Sequence, residues 1–68
     1  MLVVKEEDGA IVELFDTAVE FKHYLANSLF EISQDLKEEE LWEKTRDATF
    51  GYQYETWHNY TGRRFEIA

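Results

Sequence analysis

The chain contains no cysteine and no proline, and only three of its 68 residues are glycine. Without cysteine there is no disulfide framework and no thiol nucleophile, and a structural zinc site loses its usual ligands. Three scattered glycines cannot form a phosphate-cradling loop. No apolar run is long enough to cross a membrane, and the N-terminus lacks the basic-then-apolar pattern of a signal peptide, so a cytoplasmic protein is expected. Basic residues are also scarce: seven lysines and arginines face fifteen acids, for a formal charge of -8. That balance argues against direct nucleic-acid binding, which needs a basic footprint to neutralise phosphates.

The acidity is uneven. Residues 1–40 carry eleven acidic and three basic side chains, whereas residues 41–68 carry four of each. Aromatics make up 16% of the chain. That is more ring surface than so small a core readily hides, so some is expected at the surface.

Thr17 to Leu36 organises the rest. Thr17-Ala-Val-Glu20 reads as a capping box, with the Thr17 hydroxyl accepting from the Glu20 amide and the Glu20 carboxylate reaching back to the Thr17 amide. At 100° per residue Ala18, Phe21, Leu25, Leu29, Ile32 and Leu36 form one stripe, widened by Val19, Ala26 and Phe30. Glu20, His23, Asn27, Glu31 and Gln34 fall on the opposite side. Such a helix cannot bury its stripe alone, so the flanking segments must supply the remaining core.

Before it, Leu2 to Phe15 reads as a β-hairpin around Glu7-Asp8-Gly9. A two-residue Asp8-Gly9 turn would pair Val4 with Glu13. A type I turn with Gly9 left-handed in a G1 bulge pairs Lys5 with Ile11 and collects Leu2, Val4, Ala10, Val12 and Leu14 on one face; this register is preferred. After the helix the apolar phase breaks between Ser33 and Lys37. Asp35-Leu-Lys-Glu38 resembles a second cap, starting a helix from about Leu36 to Thr49 that uses Leu41, Trp42, Thr45 and Ala48.

From Phe50 the alternation Phe50-Gly-Tyr52-Gln-Tyr54-Glu-Thr56 favours a strand. A turn at Tyr60-Thr61-Gly62 would then return the chain through Arg63 to Ile67, with Trp57 facing Phe65 and His58 facing Arg64. A helix running to Tyr60 and capped by Gly62 is the competing reading. The expected fold is therefore α+β: residues 1–68 as a single domain, β-hairpin, two helices, β-hairpin, with an antiparallel sheet packed on the first helix.

For function, Glu20-Phe-Lys-His23 has a metal-ligand spacing, but di-iron sites need a second copy and further inward glutamates. Nothing near Ser28 or Ser33 forms a nucleophile elbow, and carboxylates on a polar face usually serve solvation. No enzyme, metal or cofactor is expected. The residues best suited to contact another protein are Trp57, His58, Tyr60, Arg63 and Arg64, since Trp, Tyr and Arg are enriched at interface hot spots. The bland counterpart makes Trp57 and Phe65 core and pairs the arginines with N-terminal acids. An alternative surface consists of Glu6, Glu7, Asp8, Glu38, Glu39 and Glu40, whose closely spaced carboxylates could imitate a phosphate backbone, as small proteins of phages and mobile elements do. The leading expectation is an adaptor or inhibitor that binds a protein partner, with a nucleic-acid mimic and a self-associating homodimer as alternatives.

Overall fold

A computed structural model describes residues 1–67. Strands β1 (Leu2–Lys5) and β2 (Ile11–Phe15) lead into helix α1 (Ala18–Asp35), followed by α2 (Glu39–Thr45), α3 (Phe50–Thr61) and strand β3 (Arg64–Ile67). Both neighbours pair antiparallel with β1, giving the order β2-β1-β3. The expected α+β class, with an antiparallel sheet on an amphipathic helix, holds. The two ends of the chain share that sheet.

The first turn follows its glycine. Gly9 sits at φ 92°, its amide donating to Glu6 O at 3.0 Å, and the Glu6 amide donates to Ala10 O at 2.9 Å. This is the type I turn with a G1 bulge, and it pairs Lys5 with Ile11 as expected. The preferred register fails one residue later. A second bulge lies between Val4 and Lys5, after which Val4 pairs with Glu13, Val3 with Leu14 and Leu2 with Phe15. The slip sends Leu14 outward, 53% exposed, and packs Val12 and Phe15 against the core. An extra residue in one strand lets Val12 and Phe15, three apart, serve the same face.

Helix α1 begins where its cap dictates. Glu20 N donates to Thr17 Oγ1 at 3.3 Å, while the Glu20 carboxylate accepts from the Asp16 amide rather than that of Thr17. Phe21, Leu25, Leu29 and Ser33 are its buried positions, with Tyr24 and Ile32 packed beside them. The expected stripe was therefore too wide: Val19, Phe30 and Leu36 are exposed.

The break after α1 is a Schellman motif. Glu38 N donates to Ser33 O at 2.9 Å and Lys37 N to Gln34 O at 3.2 Å, with Lys37 left-handed at φ 56°. Asp35 is consequently the last residue of α1 and caps nothing. The second helix starts at Glu39 and stops at Thr45, short of Thr49.

The largest correction concerns residues 50–61, which form a helix rather than a strand; among the described residues there is no second hairpin. Two local signals outweigh the aromatic alternation. The Thr49 hydroxyl accepts from Tyr52 N at 3.3 Å, and Gly62, left-handed at φ 72°, donates its amide to His58 O at 2.8 Å. On a helix Phe50, Tyr54 and Trp57 share one inward face, leaving Tyr52 and Tyr60 outside.

The core is mainly aromatic. Phe21 lies 4.6 Å from Phe65, 5.8 Å from Phe50 and 6.1 Å from Trp57 between ring centroids, the Phe50 and Trp57 contacts being edge-on. Trp57 is fully buried, with Tyr24 and Tyr54 rings beside it. Val4, Leu25 and Leu29 complete the cluster.

Candidate functional site

The residues singled out from the sequence separate into two sets once the chain is folded. Trp57 has none of its surface exposed and cannot meet a partner, because the helix turns it into the core. Arg63 and Arg64 act as internal ties. Arg63 Nε donates to Glu6 Oε1 at 3.0 Å and its Nη1 to the Tyr24 hydroxyl at 3.2 Å. Arg64 Nε donates to Glu66 Oε1 at 3.1 Å and its Nη1 to the Glu6 carbonyl at 3.3 Å. His58 Nδ1 lies 2.6 Å from Arg63 O, a contact in which the ring donates its proton. These contacts lash the end of α3 and the start of β3 to the first hairpin and α1.

Beside Arg64, Glu66 also accepts from Lys5 Nζ at 2.8 Å. The Lys5 hydrogen bond, then that from Arg64, holds the Glu66 carboxyl below its usual range. For Arg63, burial is the largest single influence and works to lower its pKa, but the Tyr24 and Glu6 hydrogen bonds outweigh it and raise it.

The other set converges. His58 and Tyr60 sit at the exposed end of α3, and the fold brings both acidic segments to that end. Glu6, Glu7 and Asp8, in the β1–β2 loop, share one cavity with His58, Asn59 and Tyr60. Glu38, Glu39 and Glu40, at the start of α2, share a second with Tyr52, Asn59 and Tyr60. Asn59 and Tyr60 belong to both. Carboxylates thirty or more positions apart in sequence thus flank one helix end.

Local structure explains the convergence. The left-handed Gly62 ends α3 against the first hairpin so closely that a Cβ there would lie 2.7 Å from Glu7 Oε1. On the other side the Schellman turn delivers Glu38 to Tyr60, whose hydroxyl donates to Glu38 Oε2 at 3.3 Å. The charge of Glu38, with smaller contributions from desolvation and that hydrogen bond, raises the Tyr60 pKa above its ordinary value.

The charge on this face is largely uncompensated. Glu6 is neutralised by Arg63, but among the described residues Glu7, Asp8, Glu38, Glu39 and Glu40 make no ion pair. Lys37 and Lys44 border the second cavity without reaching ion-pair distance of any of them. Tyr52 and Tyr60 stand 49% and 48% exposed beside these acids. Such a face can attract and hold cationic groups.

Sequence reasoning missed Tyr52, Thr56 and Asn59. Their signal was the helical spacing 52, 56, 59, 60, which the strand reading of this segment concealed.

Glu20 and His23 both lie exposed on α1. Among the described residues no three His, Asp or Glu side chains are grouped to hold a metal ion, and no helix is long and apolar enough to cross a membrane.

Fold and site together define a small α+β domain with an acidic, tyrosine-bearing face. In comparisons with known proteins the chain matches no family model, no curated protein and no solved structure.

Proposed function

We propose that this protein acts as an adaptor or inhibitor by binding another protein through the face built from the 6–8 loop, the 38–40 turn and the outer side of α3, and that the partner presents a basic surface. The observation that carries this reading is the meeting, around Asn59 and Tyr60, of two acidic segments in which only Glu6 makes an ion pair. Exposed carboxylates around half-exposed tyrosines give both long-range attraction and a directional contact surface. Binding of this kind needs no cofactor and no catalytic group.

The same observation favours a second, narrower form of the reading: the partner's basic surface is a nucleic-acid-binding groove, occupied by carboxylates in place of phosphates. Two acidic runs on one continuous face suit that role better than either run alone.

The test is a pull-down from nuclease-treated extract with three proteins: the parent, a variant with Glu38, Glu39 and Glu40 changed to Gln, and one with Glu7→Gln and Asp8→Asn. Both variants are first verified as folded by circular dichroism. The proposal expects basic proteins to be retained by the parent, released by moderate salt, and lost in both variants. Retention of the same proteins by both variants at the same salt would sink it. Partners that are nucleic-acid-binding proteins would support the mimic, whereas basic partners without that activity would favour a general adaptor.

A further inference from the structure

The groove between α2 and α3 has a composition that acidity alone does not require. Its volume is about 690 Å³, and Leu41, Tyr52, Thr56 and Tyr60 line it beside the carboxylates of Glu38, Glu39 and Glu40. Tyr52 and Tyr60 are eight residues apart on α3, two helical turns, so their rings flank Thr56 on one stripe. Both rings are about half exposed. A surface selected for solubility has no need of two large rings and a leucine among its acids.

Resting on the proposed binding role, we infer that this groove receives an arginine-bearing segment of the partner, and that it distinguishes arginine from lysine. Charge decides the sign of the occupant. Three carboxylates in the groove, with Glu7 and Asp8 in the adjoining cavity that shares Asn59 and Tyr60, outnumber Lys37 and Lys44, and among the described residues none of the five makes an ion pair. The rings decide its shape. A guanidinium is planar and weakly hydrated; it lies flat on a tyrosine face while its edge donates to a carboxylate in two parallel bonds. An ammonium is a compact, strongly hydrated point charge and uses the carboxylates without the rings. Tyr60 is suited to both tasks, since its hydroxyl is already anchored on Glu38, which fixes the ring beside the charge.

The experiment compares acetylated, amidated hexa-arginine and hexa-lysine, equal in length and charge, titrated into the full protein and followed by backbone and tyrosine-ring NMR. Hexa-arginine is expected to bind about three- to fivefold more tightly than hexa-lysine, the ratio an exposed cation–π contact supplies. The largest shifts should fall on Tyr52, Thr56, Asn59 and Tyr60. In Tyr52→Leu and Tyr60→Leu, which keep an apolar helix-favouring side chain, the preference should vanish while weak binding of both peptides persists. Equal affinities in the parent, a preference that survives both substitutions, or shifts confined to other surfaces would each overturn the inference. Equal affinities would leave the acidic-face reading standing; that reading falls only if charge neutralisation fails to release the partner.

Discussion

Truncating Trp57 separates a core role from a binding role. Trp57 has no exposed surface and touches the rings of Phe21, Tyr24 and Tyr54 at centroid distances of 6.1, 6.2 and 5.7 Å. Replacing a buried tryptophan with alanine costs about 3–5 kcal/mol in lost transfer energy and cavity formation. One term offsets part of this: the Trp57 Nε1 is buried without a hydrogen-bond partner, and removing such a group recovers about 1–3 kcal/mol of desolvation. The expected loss for Trp57→Ala therefore falls to about 2–3 kcal/mol. A domain of this size has roughly 3–10 kcal/mol in total at typical per-residue stability. At about 4–8 °C per kcal/mol, the melting midpoint should fall by at least about 8 °C. Trp57→Phe keeps a ring and removes the unpaired N–H, so its loss should be smaller, about 1–2 kcal/mol. Urea and thermal unfolding followed by far-UV circular dichroism measure both variants. A Trp57→Ala protein that melts within a few degrees of the parent, yet loses its partner, would place Trp57 at the surface and refute the assignment.

Other positions isolate single local causes. Gly62→Ala should destabilise by about 1–2 kcal/mol, because φ 72° disfavours a side chain and the new Cβ would displace the Glu7 carboxylate; denaturant midpoints check it. Gly51→Ala, where an added Cβ meets nothing within 4 Å, should instead stabilise α3 by about 0.5 kcal/mol; an unchanged or lowered midpoint would show that the first turn does not gain from a helix former. Lys37→Gly relieves the left-handed backbone at the Schellman turn and should add about 0.5–1 kcal/mol, read as a rise in melting midpoint. Because the folded state holds the Glu66 carboxyl low, the stability it contributes is full above the ordinary glutamate range and is lost as pH falls through its lowered value. Glu66→Gln should therefore flatten the acid side of the stability curve, and carboxyl NMR of the parent should show Glu66 titrating below the ordinary glutamate range.

Much of the fold could be read from short-range chemistry. The Thr17 cap, the Glu7-Asp8-Gly9 turn and the Phe21-Leu25-Leu29 spine are each set by neighbouring residues, and each appears where the sequence places it. The failures arose where two periods competed. Phe50, Tyr52 and Tyr54 alternate like a strand, yet Phe50, Tyr54 and Trp57 also satisfy a helix. The caps at Thr49 and Gly62 decide between them, helped by β1, whose second edge is filled by Arg64–Ile67 alone. The second bulge, between Val4 and Lys5, has no local marker, since it serves the packing of Phe15 against Phe21 and Tyr24, a tertiary demand. For the site, the acidic runs were visible as composition, but their meeting around Tyr60 depends on α3 being a helix. The aromatic–arginine cluster illustrates the converse. Trp57 and Arg63 are residue types common at interfaces, and here burial and the Glu6 and Tyr24 contacts commit them to holding the fold together.

The acidic face makes its claim through specific carboxylates, so the most direct measurement joins those carboxylates covalently to whatever they touch. Zero-length carbodiimide cross-linking of the tagged protein with its captured partner links contacting carboxylates to lysines, and mass spectrometry locates the bonds. Cross-links are expected from Glu7, Asp8, Glu38, Glu39 and Glu40 to lysines that neighbour the seated arginine on the partner's basic surface. Cross-links concentrated instead on Glu13, Glu31 or Glu66, with none on those five, would move the binding surface to another side of the molecule and contradict it.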